Sequence, residues 1–206
     1  MGLHPISDLD NPAAEAPTVR LLDEEIAEAD SVAQARYGTG YQQSRRLQLQ
    51  TLNDDDLESH VIGARAEAAV CKGLNGSLDA LDREASWNGD DGTDIVLRGY
   101  SIDVKCTTSG WDSGYEPILK IERRHFENPD HTPDLYFLVE ETVPGMYRLI
   151  GFVDAEKVEK VGVELDEGDW YRGFESQTEN IVVPVEHLTM VKPNWEVSAA
   201  SPVAAD

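Results

Sequence analysis

Several features that would place a chain at sight are missing from this one. No run of about eighteen apolar residues occurs in its 206 residues, so nothing reads as a membrane span. The opening stretch, MGLHPISDLDNPAAEAPTVR, lacks the basic patch and apolar core of a secretory signal, and the expected location is the cytoplasm. Cysteine is scarce. Cys71 and Cys106 stand far apart with no CxxC, and His4, His60, His125, His131 and His187 show no ligand spacing, which argues against a disulfide framework and a zinc site. GxSxG and P-loop patterns are absent. YGTGYQQ lacks the third glycine of a dinucleotide loop, and NGDDGTD lacks the alternating acids of a calcium loop. The NGS at 75–77 is a glycosylation signal without a secretory context. Trp87, Trp111, Trp170 and Trp195 read as core or loop packing.

Basic residues are the other shortage. Seventeen Lys and Arg face 40 Asp and Glu, for a net charge of −23, and only six of the seventeen are Lys. The acids are spread along the whole chain and mixed with apolar segments. A dedicated basic partner is one account of this. Adaptation to concentrated salt, where self-repulsion is screened within a few ångströms, suits a diffuse excess better. The expected host is then a halophile, an archaeon or its virus. On that reading net charge does not argue against nucleic-acid binding through a local basic patch.

What is present is a helical first part and a stranded remainder. Residues 1–17 read as a disordered leader. From Thr18 the residues Val19, Leu22, Ile26, Ala29 and Ala33 recur at helical spacing, and the pattern is expected to stop at YGTG. YQQSRRLQLQTL reads as a second amphipathic stretch. NDDD then offers caps to a third helix over about 57–72, closed by Gly73. A hairpin over 94–106 follows, then strands in PILKIE, DLYFLVEE and YRLIGFV, a short helix in DAEKVEKVG, and a late strand or edge segment in NIVVPVEHL. SAASPVAAD reads as a frayed tail. This order suggests α+β or mixed α/β.

The hairpin, DIVLRGYSIDVKCTT, carries the chemistry. Side chains alternate along a strand, so Ile95, Leu97, Ile102, Val104 and Cys106 share an apolar face while Asp94, Asp103 and Lys105 share the other. A two-residue loop at Gly99 and Tyr100 sets Asp94 opposite Lys105 and diagonal to Asp103. A three-residue loop would instead set Asp94 against Cys106. Two diagonal carboxylates lie close enough to converge on one divalent cation, with the Lys105 ammonium beside them. The bland alternative is an exposed Asp–Lys pair of little energetic worth. Upstream, Glu67 has Gly63, Ala64, Val70 and Cys71 as its neighbours one turn away. A carboxylate on such a stripe needs a partner, which a cation held by Asp94 and Asp103 would supply. Its bland alternative is a glutamate at the helix margin reaching water.

GARAEAAV followed by TDIVLRGYSIDVKCTT resembles the PD-(D/E)XK nuclease superfamily, in a form common in phage and archaeal proteins. The resemblance covers roughly residues 57–155, with Thr93 where the name-giving proline would stand. It implies a mixed α/β fold with a restriction-endonuclease-like core: a central mixed sheet flanked by helices. The expected units are an N-terminal helical extension (18–56), the nuclease-like domain (57–192) and a flexible tail (193–206). The implied activity is hydrolysis of DNA with Mg²⁺ or Mn²⁺ and no small-molecule cofactor. Glu67, Asp94 and Asp103 would hold the metal, and Lys105 would activate the attacking water and steady the transition state. A homodimer is implied by many relatives. Arg45, Arg46, Lys120, Arg123 and Arg124 are the candidate phosphate contacts, with Thr107 and Thr108 after the catalytic strand. Charges balancing neighbouring acids explain the arginines as well. The alternatives carried forward are a DNA-binding module of the same fold without cleavage, and an acidic interaction protein mimicking DNA.

Overall fold

Residues 15–47, 54–83, 93–108, 116–129 and 132–192 are described by the structure, a computed structural model; of 39–47 and 54–56 it describes the backbone alone. Arginines 45 and 46 therefore have side chains outside the described part, as do residues 1–14 of the leader and the tail.

The first element corrects the helical reading at Thr18. Thr18–Arg20 is a strand, β1, paired antiparallel with Tyr147 and its neighbours, and Pro17 accepts the Leu149 N–H at 2.9 Å. Ala16 is buried, so the leader is packed at its end. The helix α1 begins at Asp23 and runs to Leu47. Three acids, Asp23, Glu24 and Glu25, sit at its positive end, and Glu25 Oε2 reaches back to accept the Leu22 N–H at 2.6 Å. YGTG does not end it. A mid-helix glycine costs about 1 kcal/mol and does not by itself break a helix, and the stretch read as a second helix is its continuation.

The second helix, α2, spans Asp54–Asn75, longer at both ends than the sequence pattern indicates. Its stop is Gly76, at φ 75°, whose N–H bonds to the Lys72 carbonyl at 2.8 Å. Gly73 has a different task. A Cβ there would lie 2.5 Å from Leu149 Cδ1 and 2.8 Å from Val19 Cγ2, so glycine permits the close approach of α2 to the sheet.

The main sheet is mixed, in the order β1, β6 (Met146–Asp154), β5 (Leu135–Val143), β3 (Tyr100–Thr107), β2 (Ile95–Leu97), with β11 (Thr189–Met190) also on β6. β3 and β5 run parallel and the other pairs antiparallel. A second sheet has β10 (Asn180–Pro184) between β4 (Ile118–Glu122) and β7 (Val163–Leu165). PILKIE thus lies outside the main sheet, and NIVVP is a central strand, buried throughout, rather than an edge. Two short helices, α3 (Arg123–Phe126) and α4 (Ala155–Val161), and a hairpin of β8 (Trp170–Tyr171) with β9 (Phe174–Glu175) complete the fold, which is mixed α/β.

DLYFLVEE explains the layering. Leu135, Phe137 and Val139 pack among residues of α1 and α2, whereas Tyr136 and Leu138 pack with Leu119, Ile121, Ile181 and Val183 of the second sheet. A strand covered on both faces reads as a continuous apolar run. No helix among the described residues is long and apolar enough to cross a membrane.

Candidate active site

The hairpin turn is Arg98–Gly99, not Gly99–Tyr100. Both residues have positive φ, 55° and 85°, as a two-residue turn matched to the strand twist requires. The register pairs Leu97 with Tyr100 and Ile95 with Ile102. The turn is displaced by one residue, which moves partners by two, so the assignment of faces survives and the direct opposition of Asp94 to Lys105 does not. At the start of β2 the ladder is irregular. The Asp94 N–H bonds to the Ile102 carbonyl, although Ile102 pairs with Ile95, and Asp94 Oδ2 accepts the Val104 N–H at 2.7 Å. This bulge-like step turns the Asp94 carboxylate back over β3.

On β3, Asp103 is only 7% exposed and Lys105 is half-buried. Lys105 Nζ lies 2.7 Å from Asp103 Oδ1, an ion pair without hydrogen-bond alignment, so this buried oxygen has no hydrogen-bond partner. Glu67 is 3% exposed on α2. Its Oε1 accepts a hydrogen bond from Arg36 Nη1 at 2.8 Å, while its buried Oε2 has no partner.

These groups share one electrostatic environment. Burial pushes the Asp94 carboxyl well above the usual carboxylate range, and the charges of Glu67 and Asp103 push it further, against Lys105 and the Val104 N–H. Burial raises Glu67 too, with Asp82 and Asp103 adding to it and Arg36 opposing. Asp94 therefore lies within electrostatic reach of Glu67, Asp103 and Lys105. Among the described residues, no three His, Cys, Asp or Glu side chains are grouped as a ready ion site; Glu67 is paired with Arg36 and Asp103 with Lys105.

Arg36 is the participant that sequence reasoning missed. Its Nη2 also donates to the Asp82 carbonyl at 3.0 Å, and Asp94 adds to the field that holds it protonated. A signal existed. Ala29, Val32 and Ala33 are buried at helical spacing, and Arg36 is the next position of that stripe, the counterpart on α1 of the anomaly that singled out Glu67 on α2.

The remaining candidates divide. Thr107 and the exposed Lys120 line a cleft that Lys105 also lines, and Thr108 is exposed just beyond β3. Arg123 bonds instead to Asp166 at 3.2 Å, and Arg124 to Glu122 at 2.7 Å. Cys71 and Cys106 are free thiols that burial pushes up to about 12. Trp170, read as packing, is 70% exposed.

Comparison with known proteins gives no match to any family model, curated protein or solved structure.

Proposed function

We propose that the protein is a divalent-metal-dependent nuclease hydrolysing DNA phosphodiester bonds, on a restriction-endonuclease-like core. The observation that carries this reading is the buried carboxylate oxygen Glu67 Oε2, without a hydrogen-bond partner in a cluster where Asp94 is also forced toward its protonated form. Buried carboxylates in mutual repulsion are relieved by a cation. The donors are all hard oxygens, a set suited to Mg²⁺ or Mn²⁺. Glu67, Asp94 and Asp103 would hold the ion. Bound there, it would supply a water of lowered pKa and offset charge developing on the scissile phosphate.

The chain's own residues do the rest. The Val104 N–H fixes the Asp94 carboxylate, and Arg36 fixes the orientation of Glu67. Lys105 presents three rotatable donors beside Asp103, able to orient an attacking water and to stabilise a phosphoryl oxygen as its charge grows. The Arg36–Glu67 pair favours one second reading, a DNA-binding module of the same fold in which the guanidinium is the permanent partner of Glu67.

The test is incubation in high KCl with Mg²⁺ or Mn²⁺ and linear, circular, single-stranded and branched DNA, beside Lys105→Ala. Metal-dependent cleavage lost in the variant is the expected result. DNA binding without cleavage would leave the binding module, and cleavage unchanged in the variant would overturn the assignment of the site.

A further inference from the structure

Beside Lys105, between β3, β4 and the β8–β9 hairpin, lies an open cleft of about 560 Å³ lined by Lys105, Thr107, Glu116, Lys120, Arg172 and Phe174 among others. In a chain with 17 Lys and Arg in 206 residues, roughly one in twelve, three basic side chains around one cleft are a local concentration. The hairpin over it is fastened. Its turn residues Arg172 and Gly173 are both left-handed, at φ 44° and 95°. Arg172 Nη2 donates to Glu186 Oε1 at 2.8 Å, Nη1 bonds to Glu116, and the guanidinium sits 5.4 Å from the centre of the Tyr171 ring. Phe174 is therefore presented to the cleft from a fixed frame.

Basic side chains interleaved with aromatic faces are the chemistry of single-stranded nucleic-acid binding, in which cations follow the phosphates and bases stack on rings. The size of the cleft selects among nucleic acids. It lies in the range of about 300–1,000 Å³ that encloses one small-molecule ligand. One nucleotide fits this space, whereas a base that stays paired and stacked in a duplex cannot enter it.

We infer that this cleft receives one nucleotide of an unpaired strand. The phosphate lies between Lys105 and Lys120, and the base rests against Phe174. The inference rests on the nuclease reading and narrows its substrate to DNA with a single-stranded segment at the cut, such as an overhang, a flap or a free strand.

The test is fluorescence anisotropy in EDTA, titrating full-length protein into a labelled oligo-dT strand and a blunt hairpin duplex of equal length. Lys120→Ala and Phe174→Leu are measured alongside, and a thermal melt of each verifies its fold. Lys120 is exposed, so its variant keeps the test decisive if Phe174→Leu unfolds. The expected result is tighter binding of the single strand, weakened about ten-fold by Phe174→Leu and several-fold by Lys120→Ala. Equal or tighter binding of the duplex, or single-strand affinity unmoved by these variants, overturns the inference. A parallel Mn²⁺ cleavage assay separates the two proposals. Variant-sensitive strand binding without cleavage of any DNA supports the cleft and removes the nuclease. Duplex cleavage indifferent to the variants supports the nuclease and removes the cleft.

Discussion

Two arginine–carboxylate pairs join α1 to α2, and they are built differently. Arg65 meets Asp30 through two bonds, Nε to Oδ1 at 2.6 Å and Nη2 to Oδ2 at 2.8 Å, so both carboxylate oxygens are satisfied, at side-chain exposures of 27% and 29%. Arg36 meets Glu67 through one bond, deeper in the protein, and leaves the second oxygen buried without a partner. The first pair is complete and holds two helices in place. The second is incomplete, and its unused oxygen belongs to the cluster that contains Asp94 and Asp103. Completeness of hydrogen bonding, more than the mere presence of an ion pair, separates the structural pair from the one proposed to act.

The largest expected effect on that contrast is on activity. Glu67→Gln keeps an acceptor for Arg36 but removes the anionic ligand, and metal-dependent cleavage should fall at least about hundred-fold, the scale of losing a group that stabilises the transition state. Asp30→Asn should leave the specific rate of the folded protein unchanged, and the comparison fails if both variants lose activity equally.

Stability comes next. Arg36→Ala leaves the Glu67 charge buried with no arginine partner and should cost about 3–5 kcal/mol in chemical denaturation. Arg65→Ala should cost about 1 kcal/mol or less, since its pair is partly exposed. Mn²⁺ should restore part of the stability of Arg36→Ala and none of that of Arg65→Ala, because the ion would take over the role of counter-charge only at the site. Equal costs for the two variants would erase the distinction.

Acidity gives a smaller, signed effect. Because the folded pKa values of Asp94 and Glu67 are raised, the folded chain holds these protons more tightly than the unfolded chain. The stability they contribute is full at low pH and falls as pH rises from the ordinary carboxyl range through the raised folded values. Asp94→Asn should therefore be more stable than the parent at neutral pH, by about 1–3 kcal/mol, with the advantage shrinking on acidification. Glu25 behaves oppositely. Burial raises it, but the Leu22 N–H and Lys72 outweigh that and hold it below its usual value, so its contribution is present at neutral pH and lost in acid. Denaturation midpoints across pH would separate the two. A growing advantage of Asp94→Asn at low pH would contradict this account.

Much of the site was legible because alternation along a strand is insensitive to register in steps of two. The hairpin turn lies at Arg98–Gly99, an arrangement that seats an arginine at positive φ and that side-chain preferences do not favour, yet Asp103 and Lys105 keep alternate places on β3 and Asp94 bonds to the Val104 N–H between them. Glu67 was legible from the small residues around it. Arg36 was not, because the apolar stripe through Ala29 and Ala33 ends one step before it, and the polar residue at the next position of that face carries no apolar signal. Three-residue β1 escaped notice because it exists only through pairing with β6, a long-range fact that no local pattern carries. Similarly, ILKIE reads as a strand but does not say which sheet it joins.

The most direct test of a shared divalent ion is calorimetric titration of Mn²⁺ into the full chain in high KCl, where diffuse binding to an acidic surface is screened. The account predicts one saturable ion per chain in the parent and its loss in both Asp94→Asn and Asp103→Asn. Saturable binding that survives both substitutions, or none in the parent, would contradict it.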